Sequence, residues 1–130
     1  MCKPKSALIL KNKIYMPLDS DDHTKMIQEL KLDDSTNQPK FVRVEITPKD
    51  NDLFNHNLDN WQMRVDQDFR PDWFDSEKTE EELKEQLKKW FEQRFIIDDN
   101  SWQKREGQKI FLRNSSVEAW GNSSVEAWGN

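Results

Sequence analysis

Cysteine, glycine and long apolar runs are all scarce in this sequence. Its one cysteine, Cys2, allows no internal disulfide, which fits a reducing compartment and leads us to expect a cytoplasmic protein. The three glycines form no Gly-rich phosphate loop. No apolar run approaches the roughly 20 residues of a membrane-spanning helix, and residues 7–10 are too few for a signal peptide. We therefore expect no membrane segment, no cofactor and no disulfide framework.

Positive charge is also in deficit. The net charge of -5 opposes general affinity for nucleic acid, which depends on Lys and Arg neutralising phosphates. The deficit is concentrated in residues 66–85, which carry nine acidic and three basic side chains. A solvated helix face explains such a run most simply. The functional alternative is an acidic surface that docks on a basic partner.

Aromatic side chains, by contrast, are abundant. Six Trp and seven Phe in 130 residues predict a small aromatic core under a polar surface. Strict alternation over residues 41–47 and 61–65 predicts two antiparallel strands. Residues 6–16 indicate a hairpin that turns at Asn12, and residues 102–112 indicate a second hairpin.

Two stretches have helical spacing. Met26, Ile27 and Leu30 predict a short helix capped by Asp19 or Ser20. A longer helix follows the capping-box spacing of Thr79 and Glu82, with these apolar residues on one stripe: Leu83, Leu87, Trp90 and Phe91. Together these elements predict an α+β domain over residues 6–113, a mostly antiparallel sheet with two helices on one face.

Residues 114–130 form a separate repeat tail, in which the octapeptide NSSVEAWG occurs twice. Val and Ala of each copy share one strand face and Gly-Asn supplies a turn, so we expect a short segment of β-solenoid type. In such a stack Trp120 would lie over Trp128, and Glu118 would face Glu126. Because a solenoid needs about three units, the tail would lean on the head or on another chain, or fray. The stop after two copies would be natural, or the chain would be a trimmed member of a longer array.

Three stretches of the sequence resemble motifs of a known family. They are YMPLDSDDH from Tyr15, FVRVEITP from Phe41, and VDQD from Val65 with PDW from Pro71. With them the chain resembles an uncharacterised family of small phage and bacterial proteins, in which a globular head precedes short Asn/Ser/Val repeats of variable number. The resemblance covers nearly the whole chain. It implies a mobile-element context and lends no established activity.

Two acidic clusters are candidates for chemistry. Asp21, Asp22 and His23, with Asp19, would suit a divalent cation, although acids at a helix start also cap it. Asp66 and Asp68 would act as acid and base or as metal ligands, or would form an Asx turn. Neither cluster has the spacing of a known metal or nucleophile motif. We therefore predict no metal site and treat these residues as weak catalytic candidates.

The leading hypothesis is a non-catalytic module whose acidic surface binds a host protein and inhibits a host defence system. A homo-oligomer through the tail is an additional expectation, and we expect neither nucleic acid nor membrane as partner. The alternatives are a small metal-dependent hydrolase or nucleotide-processing enzyme, and a structural repeat protein acting as a spacer. Eight residues are the predicted binding residues: Asp66, Asp68, Asp72, Trp73, Glu80, Glu81, Trp120 and Trp128.

Overall fold

A computed structural model describes residues 5–99, 103–113, 115, 117–120 and 123–128. Within these residues lie nine strands, two α-helices and a short 3-10 helix at Leu58–Asn60. The strands are β1 Lys5–Leu10, β2 Lys13–Tyr15, β3 Val42–Pro48, β4 Trp61–Val65, β5 Phe95–Ile97, β6 Gln103–Glu106, β7 Lys109–Arg113, β8 Val117–Trp120 and β9 Ser124–Trp128. The helices are α1 His23–Glu29 and α2 Ser76–Arg94. The chain divides into two compact units, Met1–Gln86 and Leu87–Asn130.

The first unit contains a four-stranded antiparallel sheet in the order β2-β1-β3-β4. Leu10 pairs with Lys13 across the β1–β2 turn, so the first predicted hairpin is confirmed. Ile46 pairs with Met63, which confirms the antiparallel pairing expected from alternation. With two α-helices and strands that include this antiparallel sheet in the described residues, the α+β class is confirmed.

Both faces of this sheet are buried at its centre. On β1, Ala7, Leu8 and Ile9 are all at most 3% exposed although they point alternately to opposite sides. Leu8 packs in one cluster with Met26 and Ile27 of α1. Helix α1 therefore covers the face of the sheet that carries Leu8.

Both helices begin at caps other than the predicted ones. The Asp22 carboxylate accepts from the Thr24 and Lys25 amides at 2.9 and 3.3 Å, so Asp22 is the N-cap of α1. For α2, the Asp75 carboxylate accepts from the Lys78 amide at 3.2 Å, which starts the helix ahead of the predicted capping box. Thr79 is a buried residue of the first turn, and the capping-box prediction is wrong.

An aromatic cluster forms the core of the second unit. The Trp90 ring meets Phe95 edge-on at 4.8 Å and Phe111 at 5.4 Å between ring centroids. Phe95 and Phe111 are stacked at 4.7 Å. These contacts hold the last turns of α2 against β5 and β7, and they agree with the predicted aromatic core.

Strands of the second unit pair in parallel, and the second predicted hairpin is wrong. Strands β5, β7 and β9 form one sheet, and β6 pairs with β8 in another. Strands β6 and β7 therefore belong to different sheets, and Gly107 between them has a φ of +66°. Gly107 and Gln108, which lie between the two strands, form a corner between sheets rather than a hairpin turn.

The two octapeptides stack on earlier strands and not on each other. Val117 pairs with Gln103, 14 residues earlier, and Ser124 pairs with Lys109, 15 residues earlier. The Cα partner of Trp120 is Glu106, whereas the partner of Trp128 is Arg113. The expected Trp120–Trp128 ladder and its Glu118–Glu126 counterpart are wrong, because consecutive copies lie in different sheets.

Candidate functional site

Asp21, a candidate catalytic residue, forms an ion pair with a fully buried lysine. The Lys5 ammonium donates to Asp21 Oδ1 at 2.9 Å and to the carbonyl oxygens of Pro17 and Ser20 at 2.6 and 3.3 Å. Asp21 Oδ1 also accepts from the Ser6 amide at 3.0 Å. All three ammonium protons thus have acceptors, which a buried Lys requires. Asp21 joins the start of β1 to the segment before α1.

His23, the other candidate of this cluster, is buried and bonded to main chain. Its Nε2 lies 3.2 Å from the Ala7 carbonyl oxygen and 2.9 Å from that of Val44. Carbonyl oxygens only accept, so Nε2 carries the proton. His23 therefore links α1 to two adjacent strands of the sheet, and Asp22 beside it caps the helix.

Asp66 and Asp68 are both exposed, on either side of a residue that sequence reasoning missed. The Gln67 amide group donates to the carbonyl oxygens of Phe41 and Phe69 at 2.9 and 2.6 Å. Its Oε1 accepts from the Arg43 backbone amide and guanidinium at 3.0 and 3.1 Å. Gln67 thus fixes the turn after β4, and the two acids project from it.

The two acidic clusters do not combine into a metal site. Over the part of the chain that the structure describes, no three His, Cys, Asp or Glu side chains are grouped so as to hold a metal ion. Asp21, Asp22 and His23 each have a structural contact of their own. The arrangement offers no paired acid and base aimed at a common point.

The acidic stretch of residues 66–85 forms an outward-facing surface of the first unit. Eight of its nine carboxylates, including those of Asp72 and Glu81, are exposed. Glu80 is the exception, because its Oε2 accepts from the Met63 amide at 3.4 Å and lies 3.4 Å from the Lys84 ammonium. Glu80 therefore bonds to the outer edge of β4, where a free amide would otherwise be available for strand pairing.

Trp73 lines a polar cleft of about 270 Å³. One wall is the β1–β2 hairpin with Lys11 and Lys13, and the other is the start of α2 with Lys78 and Glu82. The half-buried indole thus lies beside side chains of both signs.

Equivalent serines of the two octapeptides each accept a hydrogen bond from an amide one coil earlier, which the sequence pattern did not indicate. Ser115 Oγ accepts from the Asp99 amide at 2.9 Å and donates to the Arg113 carbonyl oxygen at 3.0 Å. Ser123 Oγ accepts from the Gln108 amide at 3.2 Å and donates to the Arg105 carbonyl oxygen at 3.1 Å. Both are the second residue of NSSVEAWG. Through the amides of Asp99 and Gln108, each copy therefore bonds its corner to the main chain of an earlier corner.

The side chains of Trp120 and Trp128, the remaining predicted binding residues, lie outside the described part of the structure. Their main chains belong to β8 and β9. Trp120 and Trp128 therefore belong to the stacked strands, and the contacts of their side chains lie outside the described structure.

The half-buried His56 has a lowered pKa. Burial lowers the pKa of His56 from its ordinary value of 6.5. Its ring stacks on Phe54 with 6.3 Å between centroids. In the same loop, hydrogen bonds from Asn55 and Asn60 lower the pKa of the exposed Asp50 carboxyl.

In the described residues no helix is long and apolar enough to cross a membrane. No family model, no curated protein and no solved structure matches the sequence or the fold.

Proposed function

We propose that this protein is a non-catalytic binding module whose acidic surface engages a basic patch on another protein. The observation that carries the proposal is the exposure of eight of the nine carboxylates in residues 66–85. A stretch with six more negative than positive charges that faces solvent attracts basic surfaces and speeds their encounter.

The other acidic candidates support this choice by what they contact. Asp21 pairs with Lys5, Asp22 caps α1, and His23 donates to main-chain carbonyls. A catalytic acid or base needs to reach substrate, and these groups are already engaged in contacts that hold the fold together. The hydrolase alternative is left with Asp66 and Asp68 alone.

The resemblance to phage and bacterial proteins supplies the biological setting of the proposal. The partner would be a basic protein of a bacterial host, met in the cytoplasm, and the effect would be inhibition of a host defence system. An acidic protein of this size would act by covering a surface that the host protein needs for another polyanion.

A second candidate function, a structural repeat, is favoured by the parallel pairing of the second unit. Strands recur every 14 to 16 residues on two alternating sheets, which is the spacing of two octapeptides per coil. We propose that residues 95–128 are a short segment of β-solenoid type, begun by the non-repeated strands β5, β6 and β7. Added octapeptides would lengthen this segment without altering the first unit.

Affinity capture from a bacterial lysate tests the binding proposal. The bait is the full chain, compared with the variant Asp68→Asn, Asp72→Asn, Glu81→Gln, which neutralises three exposed predicted binding residues. A matched control, Asp59→Asn, Glu92→Gln, Glu106→Gln, removes the same charge at exposed positions outside residues 66–85. We expect a basic protein that is retained by the wild type and the control and lost by the first variant. Equal retention by all three would contradict the proposal.

A further inference from the structure

We propose that the outer edge formed by β8 and β9 is a self-association surface that binds the same edge of a second copy of this chain. Strand β9 ends the order β5-β7-β9 and β8 ends the pair β6-β8, so among the described strands none covers either edge. An edge strand presents main-chain donors and acceptors that another strand can pair with. This surface belongs to the second unit, and the inference does not depend on the acidic surface.

Apolar side chains at paired positions of β5, β7 and β9 form rows across the sheet. These rows continue to the β9 edge, and their last members are exposed there. Ile96, Leu112 and Ala127 lie side by side in successive strands. Ile96 is 3% exposed and Leu112 is 9% exposed, whereas Ala127 is exposed. In the neighbouring row Ile110 is fully buried, whereas Val125 beside it is 42% exposed. A further strand with small apolar residues at alternate positions would bury both ends.

The octapeptide strand itself meets this requirement. Its two copies, β8 and β9, pair with β6 and β7 in this chain. The sequences of those partner strands, QKRE and KIFLR, have little in common. The corner bonds of Ser115 and Ser123 also go to main-chain groups. Pairing of an octapeptide strand with a sheet edge therefore depends on main-chain hydrogen bonds and on the alternating Val and Ala, and not on the sequence of the neighbouring strand.

A second copy offers two such strands at once. Related by a two-fold axis, the edges of two chains meet antiparallel, and each contributes β8 and β9 to the contact. Main-chain pairing on both sheets would bury Val125 and Ala127 of each copy. The geometry thus favours a closed dimer over an open chain of molecules, because the same edge of each copy is used in the contact.

Sedimentation velocity over a concentration series tests the proposal. We expect the full chain to form a concentration-dependent dimer. Val125→Lys places a charge at the edge and should weaken the dimer on the order of tenfold or more. The matched control is Ile97→Lys, because Ile97 is similarly exposed at 39% but lies on β5 at the opposite edge of the same sheet. This control should leave the dimer unchanged.

A free peptide of sequence NSSVEAWGN tests the same edge without altering the chain. It should compete with the second copy and shift the wild-type protein toward monomer, whereas a peptide with Val replaced by Lys should not. Loss of dimer in Ile97→Lys but not in Val125→Lys, failure of the peptide to compete, or a monomer throughout the concentration series would each overturn the proposal.

Discussion

The Lys5 ammonium lies 2.9 Å from Asp21 Oδ1, and the lysine side chain is fully buried while that of Asp21 is 17% exposed. This pair joins the first residue of β1 to the segment that leads into α1. A carboxylate that the sequence offers as a metal ligand thus neutralises a charge inside the fold. The same contact explains how a lysine can begin a buried strand.

Removing one partner of this pair should destabilise the first unit. We expect Lys5→Met to lower the free energy of unfolding by about 3 kcal/mol, because Asp21 then loses its buried counter-charge. Asp21→Asn should act similarly, and the double variant should cost clearly less than the sum of the two. Urea denaturation measures all three. Lys25→Met, at an exposed position on α1, is the control and should change stability by less than about 0.5 kcal/mol.

The corner serine of the second octapeptide should protect a specific amide. Ser123→Ala removes the acceptor of the Gln108 amide, so we expect faster hydrogen exchange there and a loss of about 1 kcal/mol of local stability. NMR-detected exchange gives this residue by residue. Ser124→Ala, with an exposed side chain in the same repeat, should leave the Gln108 amide protected. Equal acceleration in both variants would contradict the role assigned to Ser123.

Acidification should weaken the fold through His56. Burial holds its pKa below 6.5 in the folded protein, so the unfolded chain binds the proton first as pH falls. Stability is therefore fully present above pH 6.5 and declines below it until the folded-state pKa is passed. Urea midpoints measured from pH 8 to 5 should fall for the wild type, and the decline should be smaller for His56→Gln. An identical pH dependence in the two proteins would exclude this effect of His56.

Divalent cations should leave the protein unchanged. In the described residues no three ligating side chains are grouped, so we expect no rise in melting temperature with Mg²⁺, Mn²⁺ or Zn²⁺. Differential scanning calorimetry with and without each ion measures this. A rise of several degrees that Asp66→Asn with Asp68→Asn abolishes would support the metal-dependent hydrolase instead.

Local patterns in the sequence predicted most of the first unit. Alternation from Phe41 to Thr47 and from Trp61 to Val65 identified β3 and β4, because the apolar side chains of each strand lie on one face at a period of two. The apolar stripe of α2 was equally visible. The predicted helix starts were wrong by a few residues. Several residues that can cap a helix, such as Asp19, Ser20 and Asp22, lie close together, and only tertiary contacts select one of them.

Pairing between distant segments could not be predicted from the sequence. The octapeptides suggested that repeats pair with repeats, whereas β9 lies beside β7, which has a different sequence. Parallel pairing joins residues a full coil apart and leaves no short turn signal. Lys5 escaped notice for a similar reason, since its partners are 12 to 16 residues away.

Direct binding to the host protein identified by capture tests the central proposal most sharply. Titration calorimetry would compare the wild type with the Asp68→Asn, Asp72→Asn, Glu81→Gln variant and its matched control at low and high salt. We expect the wild type and the control to bind alike and to weaken as salt screens the charges, and the acidic-surface variant to bind at least about tenfold more weakly. Equal affinity of all three proteins, with no dependence on salt, would contradict a role for the acidic surface.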